Sequence, residues 1–285
     1  MTRPAVDVVI PVAGTAVRVA DVVTRARALT LREGDTVTVV DNRGVGVDDP
    51  DVIVADAVRT SYYARDAGAR RGSAPWLVFL DADAHAPPHL LDRLFADEPG
   101  PRTAVLAGAI VDEPAGPDAP AALRYAELKG SMSQETTLER GPWAFAQTAN
   151  CAVRREAFES VGGFRARARS GGDADLCWRL AEAGWELERR AGAAVVHRNR
   201  VTVASMLAQR FRHGSGAGWL AREHPGAMPA RRWPGLAWWA LRRTAAGVAA
   251  LARGDRDGAI CGLLDGPAVW AFELGRLVPN RPFRG

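Results

Sequence analysis

The chain has 285 residues, enough for one large domain or two small ones. Hydrophobic residues make up 47% and charged residues 25%, which excludes a wholly disordered chain and a coiled coil. Three cysteines, Cys151, Cys177 and Cys261, form no C-x-x-C pair, which argues against a disulfide framework or a structural zinc module. Residues 1–200 carry 25 basic and 28 acidic side chains, whereas residues 201–285 carry 12 and 5. The basic character therefore resides in the tail. It fits either an anionic partner, such as a membrane surface or nucleic acid, or a solvated Arg-rich helical surface.

Val6 to Val12 is a near-continuous β-branched run and predicts a buried parallel strand. Val19, Val22, Val23, Ala26 and Leu29 fall at helical spacing, and Gly34 closes that unit. Thr36 to Val40 reads as a second strand closed by Asp41-Asn42, and Val52 to Val54 as a third. Ser61 is placed to cap a helix from about Tyr62 to Arg71. Trp76 to Leu80 is a fourth strand ending in Asp81-Ala82-Asp83, Pro88 opens a helix, and Thr103 to Val111 is a further strand. Alternation of β and α with short links predicts an α/β fold with a doubly wound, mostly parallel sheet.

The middle is less regular. Asp112 to Ala122 reads as a loop, and Arg124 to Gly141 is polar and ambiguous. Short helices are expected at Arg154 to Val161 and at Asp173 to Ala183, and a last strand at Ala193 to Val196 leads into His197. Beyond residue 200 the pattern is helical and rich in Arg, with Trp233, Trp238 and Trp239 close together. The expected organisation is one domain over 1–200, dividing near 111, and a helical extension over 201–285.

Ligands of open α/β sheets bind beyond the carboxyl ends of the strands, where Asp41, Asp81 and Asp83 fall. Strand alternation lets Asp81 and Asp83 point the same way, and two adjacent carboxylates repel unless a cation sits between them. A hard divalent ion with a diphosphate as co-ligand suits that pair; a solvated acidic turn is the plainer reading. Pro87 and Pro88 deny a zinc helix to His85 and His89, which read as exposed loop histidines. Asp173 and Asp175 flank a helix start, as a cap or as a general base, and the helix N-terminus is expected to lower the carboxylate pKa. His197 reads as a structural histidine or a metal ligand.

These pieces, in this order, resemble a family 2 glycosyltransferase of GT-A fold over about residues 5–200. The likeness rests on Val8-Val9-Ile10-Pro11-Val12, Val39-Val40-Asp41-Asn42, Ala64-Arg65-Asp66-Ala67-Gly68 and Val78-Phe79-Leu80-Asp81-Ala82-Asp83. It also rests on Ala149 to Arg155, Val161-Gly162-Gly163-Phe164 and Gly172 to Leu180. The resemblance implies inverting transfer from a nucleotide-sugar, with a UDP-sugar favoured and manganese or magnesium as the divalent metal. It implies nucleotide contacts from the loop after Pro11 and Val12 and from Asp41, Arg65, Asp66 and Asp81. Asp81, Asp83 and His197 would hold the metal. Asp173 would deprotonate the acceptor, and Trp143, Asn150, Asp175 and Arg179 would lie on the acceptor side.

Two positions depart from the family pattern: Asp66 stands where Asn is usual, and Gly172 stands where Glu usually precedes the catalytic Asp. Gln209-Arg210-Phe211-Arg212 only faintly echoes the Q-x-x-R-W element of processive synthases. A sugar nucleotidyltransferase would want a glycine-rich loop after strand one, and Ala13 to Arg18 has one glycine. A degenerate, non-catalytic nucleotide-sugar-binding protein is the other alternative, supported by Gly172. No nucleic-acid motif backs the basic tail. The opening Met1-Thr2-Arg3-Pro4 shows no secretory signal, and no run reaches the roughly 18 apolar residues of a spanning helix. The expectation is a cytoplasmic protein, with the tail either packed on the core or resting on the inner face of the membrane beside a lipid-linked or glycan acceptor.

Overall fold

The structure, a computed structural model, describes residues 3–230 and 232–282. It divides into two compact units. One comprises Met1–Val111, Ser133–His197 and Arg281–Gly285; the other comprises Asp112–Met132 and Arg198–Asn280.

The first unit begins as expected. β1 (Val6–Val12) is buried along its whole length. α1 (Ala16–Ala26) is capped by Thr15 and buries Val19, Val22, Val23 and Ala26. β2 (Thr36–Asp41) and β3 (Val52–Val54) follow. α2 (Ser61–Ala69) is capped by Thr60 rather than Ser61, because the Thr60 hydroxyl accepts from the Tyr63 N–H at 3.1 Å. β4 (Trp76–Leu80) leads to a two-residue strand, β5 (Ala84–His85), and to α3 (Leu90–Leu94), which starts after His89 rather than at Pro88. His85 therefore lies in a strand and is exposed, as is His89.

β6 (Thr103–Asp112) precedes α4 (Ala121–Lys129), which belongs to the second unit. The chain returns through α5 (Glu135–Leu138) and a tight turn at Gly141–Trp143 to β7 (Asn150–Arg154) and α6 (Arg155–Ser160). α7 (Gly172–Glu182) and β8 (Glu186–His197) complete the unit. β8 starts seven residues earlier than its apolar end suggests. Its charged first half hides the strand, and Arg190 lies buried there against Glu188 and the Leu94 carbonyl.

The sheet order is β3-β2-β1-β4-β7-β6-β8-β5. β3, β2, β1 and β4 are parallel, the arrangement expected of a doubly wound fold. β7 runs antiparallel to both β4 and β6, so β6 is separated from β4 by a strand that follows it in sequence. Phe79 of β4 packs on Phe158 and Phe164 at 5.8 and 5.3 Å between ring centroids.

The second unit is helical: α4, α8 (Val203–Glu223), α9 (Trp233–Ala252) and α10 (Arg256–Gly275). Residues 112–132, expected within the catalytic domain, group with these helices. Ala122, Tyr125, Met206, Ile260 and Ala268 form its apolar centre. Buried Asp265 accepts from the Tyr125 hydroxyl at 2.9 Å, Lys129 Nζ at 2.8 Å and Arg243 Nε at 2.7 Å. Trp233 stacks on Trp270, whereas Trp238, Leu241, Val248 and Leu251 of α9 are exposed. Arg231 lies outside the described residues. Among the described residues, no helix is long and apolar enough to cross a membrane.

Candidate active site

The parallel ladder sets the frame of the site. Val12 pairs with Asp41, and Val9 pairs with Phe79, so the ends of β1, β2 and β4 share one edge of the sheet. Asp81 and Asp83 lie just past β4. They are brought together by a turn, closed by the Ala84 N–H donating to the Asp81 carbonyl at 3.0 Å, and not by strand alternation. Arg25 of α1 clamps this turn through the carbonyls of Ala82 at 2.8 Å and Ala84 at 3.3 Å.

β5 then pairs antiparallel with β8, with Ala84 opposite His197. This two-residue ladder delivers buried His197 to Asp83, with Nε2 to Oδ1 at 3.1 Å. One ligand atom from each of Asp81, Asp83 and His197 lies within 4.8 Å of the others, a group that could hold a metal ion. Two carboxylate oxygens and an imidazole nitrogen suit a divalent cation. Buried Arg65 of α2 pairs with Asp81, so one of the two carboxylates already has a cationic partner. A divalent cation would relieve the charge that remains.

Asp173 stands in the first turn of α7. The Tyr62 hydroxyl donates to its Oδ1 at 3.3 Å, and the Ala174 N–H donates to the same oxygen at 3.1 Å. Burial raises its pKa, against the lowering expected of a helix N-terminus. Desolvation outweighs the backbone hydrogen bond from Ala174 and the nearby Arg65 charge, and the neighbouring Asp81 carboxylate pushes the same way as burial. The result is a carboxylate with more basic character than an exposed one.

Other expected site residues have structural work. Pro11 and Val12 are buried in β1. Asp41 is fully buried, and its oxygens accept from the amides of Arg43, Gly44 and Val45 at 2.8, 3.0 and 2.6 Å. These bonds shape the loop after β2. Asn150 is fully buried too, and its amide donates to the carbonyls of Ala109 and Ala193, tying β6 and β8 together. Asp175 is buried and bound to Arg179, whose guanidinium donates to the carbonyls of Val161 and Gly163. That pair fastens α7 to the Gly162-Gly163 turn. Trp143 remains partly exposed and packs edge-on against buried Trp178 at 5.0 Å.

Asp66 likewise faces the turn, accepting from the Phe164 N–H at 3.1 Å, and is not among the groups gathered around Asp81. Burial pushes its pKa up to about 6 from 3.8. The folded state therefore holds this proton more tightly than the unfolded chain does, and stability falls as pH rises between those two values. Asp66→Asn keeps an acceptor for Phe164 without the buried charge. It is expected to raise stability by about 1–3 kcal/mol at pH 8 and to change little below pH 4. Melting curves at the two pH values check this; an equal effect at both would contradict it.

Sequence reasoning passed over Tyr62 and Arg25. Neither carries a motif. Tyr62 looks like one apolar position of a helix, and Arg25 like one of many surface arginines.

Known proteins place this geometry. Residues 76–254 match the model described as glycosyl transferase family group 2. The pre-mycofactocin glycosyltransferase of Mycobacterium tuberculosis is 30% identical over 228 residues, covering 77% of this chain and 48% of that protein. The chain thus spans about half the length of that relative. Glycosyltransferase AglE of Haloferax volcanii is 28% identical over 75% of this chain and 73% of its own. Among solved structures, the Pyrobaculum calidifontis mannosyltransferase PcManGT, in complex with GDP-Man and Mn2+, superposes with a TM-score of 0.64 at 19% identity, over 94% of this chain and 87% of that one. GalNAc-T7 with UDP, GalNAc and Mn2+ gives 0.51 at 15% identity, over 79% of this chain and 52% of that one. The mixed sheet with its flanking helices is therefore a GT-A-type fold. The family model covers more than half of the chain, and the chain belongs to glycosyl transferase family group 2.

Proposed function

We propose that this chain transfers a sugar, with inversion, from a nucleoside diphosphate sugar to an acceptor hydroxyl, assisted by a divalent cation. The observation that carries the reading is the convergence of Asp81, Asp83 and His197 at the carboxyl end of β4, in the same unit as the raised-pKa Asp173. The nucleotide-sugar and manganese in the titles of the two structural neighbours support the donor class. UDP is the favoured nucleotide by family likeness, with GDP and dTDP as competitors.

Asp81, Asp83 and His197 would hold manganese or magnesium, which supplies charge neutralisation for a departing diphosphate. Asp173 accepts the proton of the attacking acceptor hydroxyl. The new bond forms between the acceptor oxygen and the anomeric carbon as the carbon–oxygen bond to the diphosphate breaks, and the nucleoside diphosphate leaves. Arg65 holds Asp81 in place, and Arg25 fixes the backbone of the 81–84 turn. A degenerate binding protein would not need a desolvated carboxylate at position 173.

Calorimetric titration with UDP, GDP and dTDP, with and without manganese, tests this reading. One nucleotide is expected to bind tightly only when the metal is present. Equal binding with and without metal would remove the cation from the account.

We infer further that α9 rests on an anionic lipid surface. Trp238, Leu241, Val248 and Leu251 expose apolar area on a helix whose segment, 224–254, contains no acidic residue and five arginines. Trp and Arg suit the interfacial layer. An acceptor carried on a lipid would then meet the enzyme at that surface. The wild type is expected to float with phosphatidylglycerol vesicles, and a Trp238→Ser/Leu241→Ser variant is expected to stay behind. Equal flotation of the two would refute the docking face.

A further inference from the structure

The structure assigns Tyr62 a positioning role: its hydroxyl orients the Asp173 carboxylate. This inference rests on the proposal that Asp173 is the base. α7 starts after Gly171, which adopts a left-handed backbone at φ 80° and brings no side chain to cap the helix. Tyr62, buried on α2, stands beside the first turn of α7. The hydroxyl hydrogen is directed at Asp173 Oδ1, 3.3 Å away. The phenol thus holds the rotamer of the acidic residue in the first turn.

The tyrosine is held rigidly. Its ring packs on Phe164 with 5.3 Å between centroids, and the Arg65 guanidinium lies over its face at 5.7 Å. Arg65 in turn holds Asp81, so Tyr62 touches both the residue behind the cation site and the proposed base. The packing also accounts for glycine at position 172. A Cβ there would lie 2.8 Å from two carbons of the Tyr62 ring, closer than real contacts allow. Phe164 and Arg65 both pack against that ring. Tyr62 and Gly172 are therefore a matched pair. A glutamate at 172, which the family pattern would supply, is excluded by the ring, and the phenol stands beside Asp173 instead.

Tyr62→Phe removes only the hydroxyl. A hydrogen bond to a charged group contributes about tenfold to a hundredfold in an equilibrium, and kcat is expected to fall by about that factor. The KM for the nucleotide-sugar and the calorimetric affinity for nucleotide with manganese are expected to stay within about twofold, which a merely structural loss would not spare. Gly172→Ala provides a second variant should Tyr62→Phe fold poorly. Its Cβ pushes on the ring, and kcat should drop with donor KM preserved. Full kcat in Tyr62→Phe, or in Gly172→Ala, overturns the assignment. Loss of kcat and donor affinity together in both variants also overturns it, since that marks a packing residue. A wild type that turns over no nucleotide-sugar would instead refute the transferase reading, and so separates the two failures.

Discussion

Asp83→Ala is expected to weaken manganese-dependent nucleotide binding by at least a hundredfold. The three side chains of the candidate cation site are not equivalent. Asp81 is already paired with Arg65, and His197 is buried and fixed by its place in β8, opposite Ala84 of β5. Asp83 is a partly exposed carboxylate whose charge faces the imidazole, 3.1 Å away. Losing even an outer partner of a bound metal typically costs about 10–100-fold in affinity, so loss of a direct ligand should cost at least the upper figure. Calorimetry of the variant with nucleotide and manganese checks this. A wild-type titration would detach Asp83 from the metal, whatever else the site does.

Asp173→Asn is expected to lower kcat by about a hundredfold to ten-thousandfold, the range a positioned general base contributes. Asparagine preserves the shape of the side chain and can still accept from the Ala174 N–H and the Tyr62 hydroxyl. Donor binding should therefore persist, and the loss should fall on kcat alone. The base must be ionised to act, and burial raises its pKa. Wild-type turnover should accordingly fall on acidification with a midpoint above the ordinary aspartate value. Full turnover of the asparagine variant would remove Asp173 as base.

The residues differ in how legible they were in the sequence. The parallel half of the sheet was plain because β1, β2 and β4 are uninterrupted apolar runs. The D-A-D element was plain too, although its carboxylates converge through a turn held by Arg25 rather than through strand alternation. β5 has only two residues, and no periodicity can reveal a strand that short, yet it sets His197 against Asp83. β7 was visible only as a motif, and its antiparallel insertion between β4 and β6 depends on long-range pairing.

The polar residues were harder still. A sequence shows that Asp41, Asn150 and Asp175 sit near expected site segments, but not that they bond to backbone amides, carbonyls and Arg179 respectively. Whether Asp173 is more or less acidic than usual turns on burial against helix-end stabilisation, and that balance exists only once the chain is folded. Gly172 looked like a lost glutamate; its explanation is the Tyr62 ring, 110 residues away in sequence.

The most direct measurement is anomalous diffraction at the manganese edge from crystals grown with manganese and the nucleotide that calorimetry selects. The account predicts one strong peak bounded by Asp81, Asp83 and His197, with the diphosphate completing its coordination. A peak elsewhere, or a bound nucleotide with no metal beside those three residues, would contradict it.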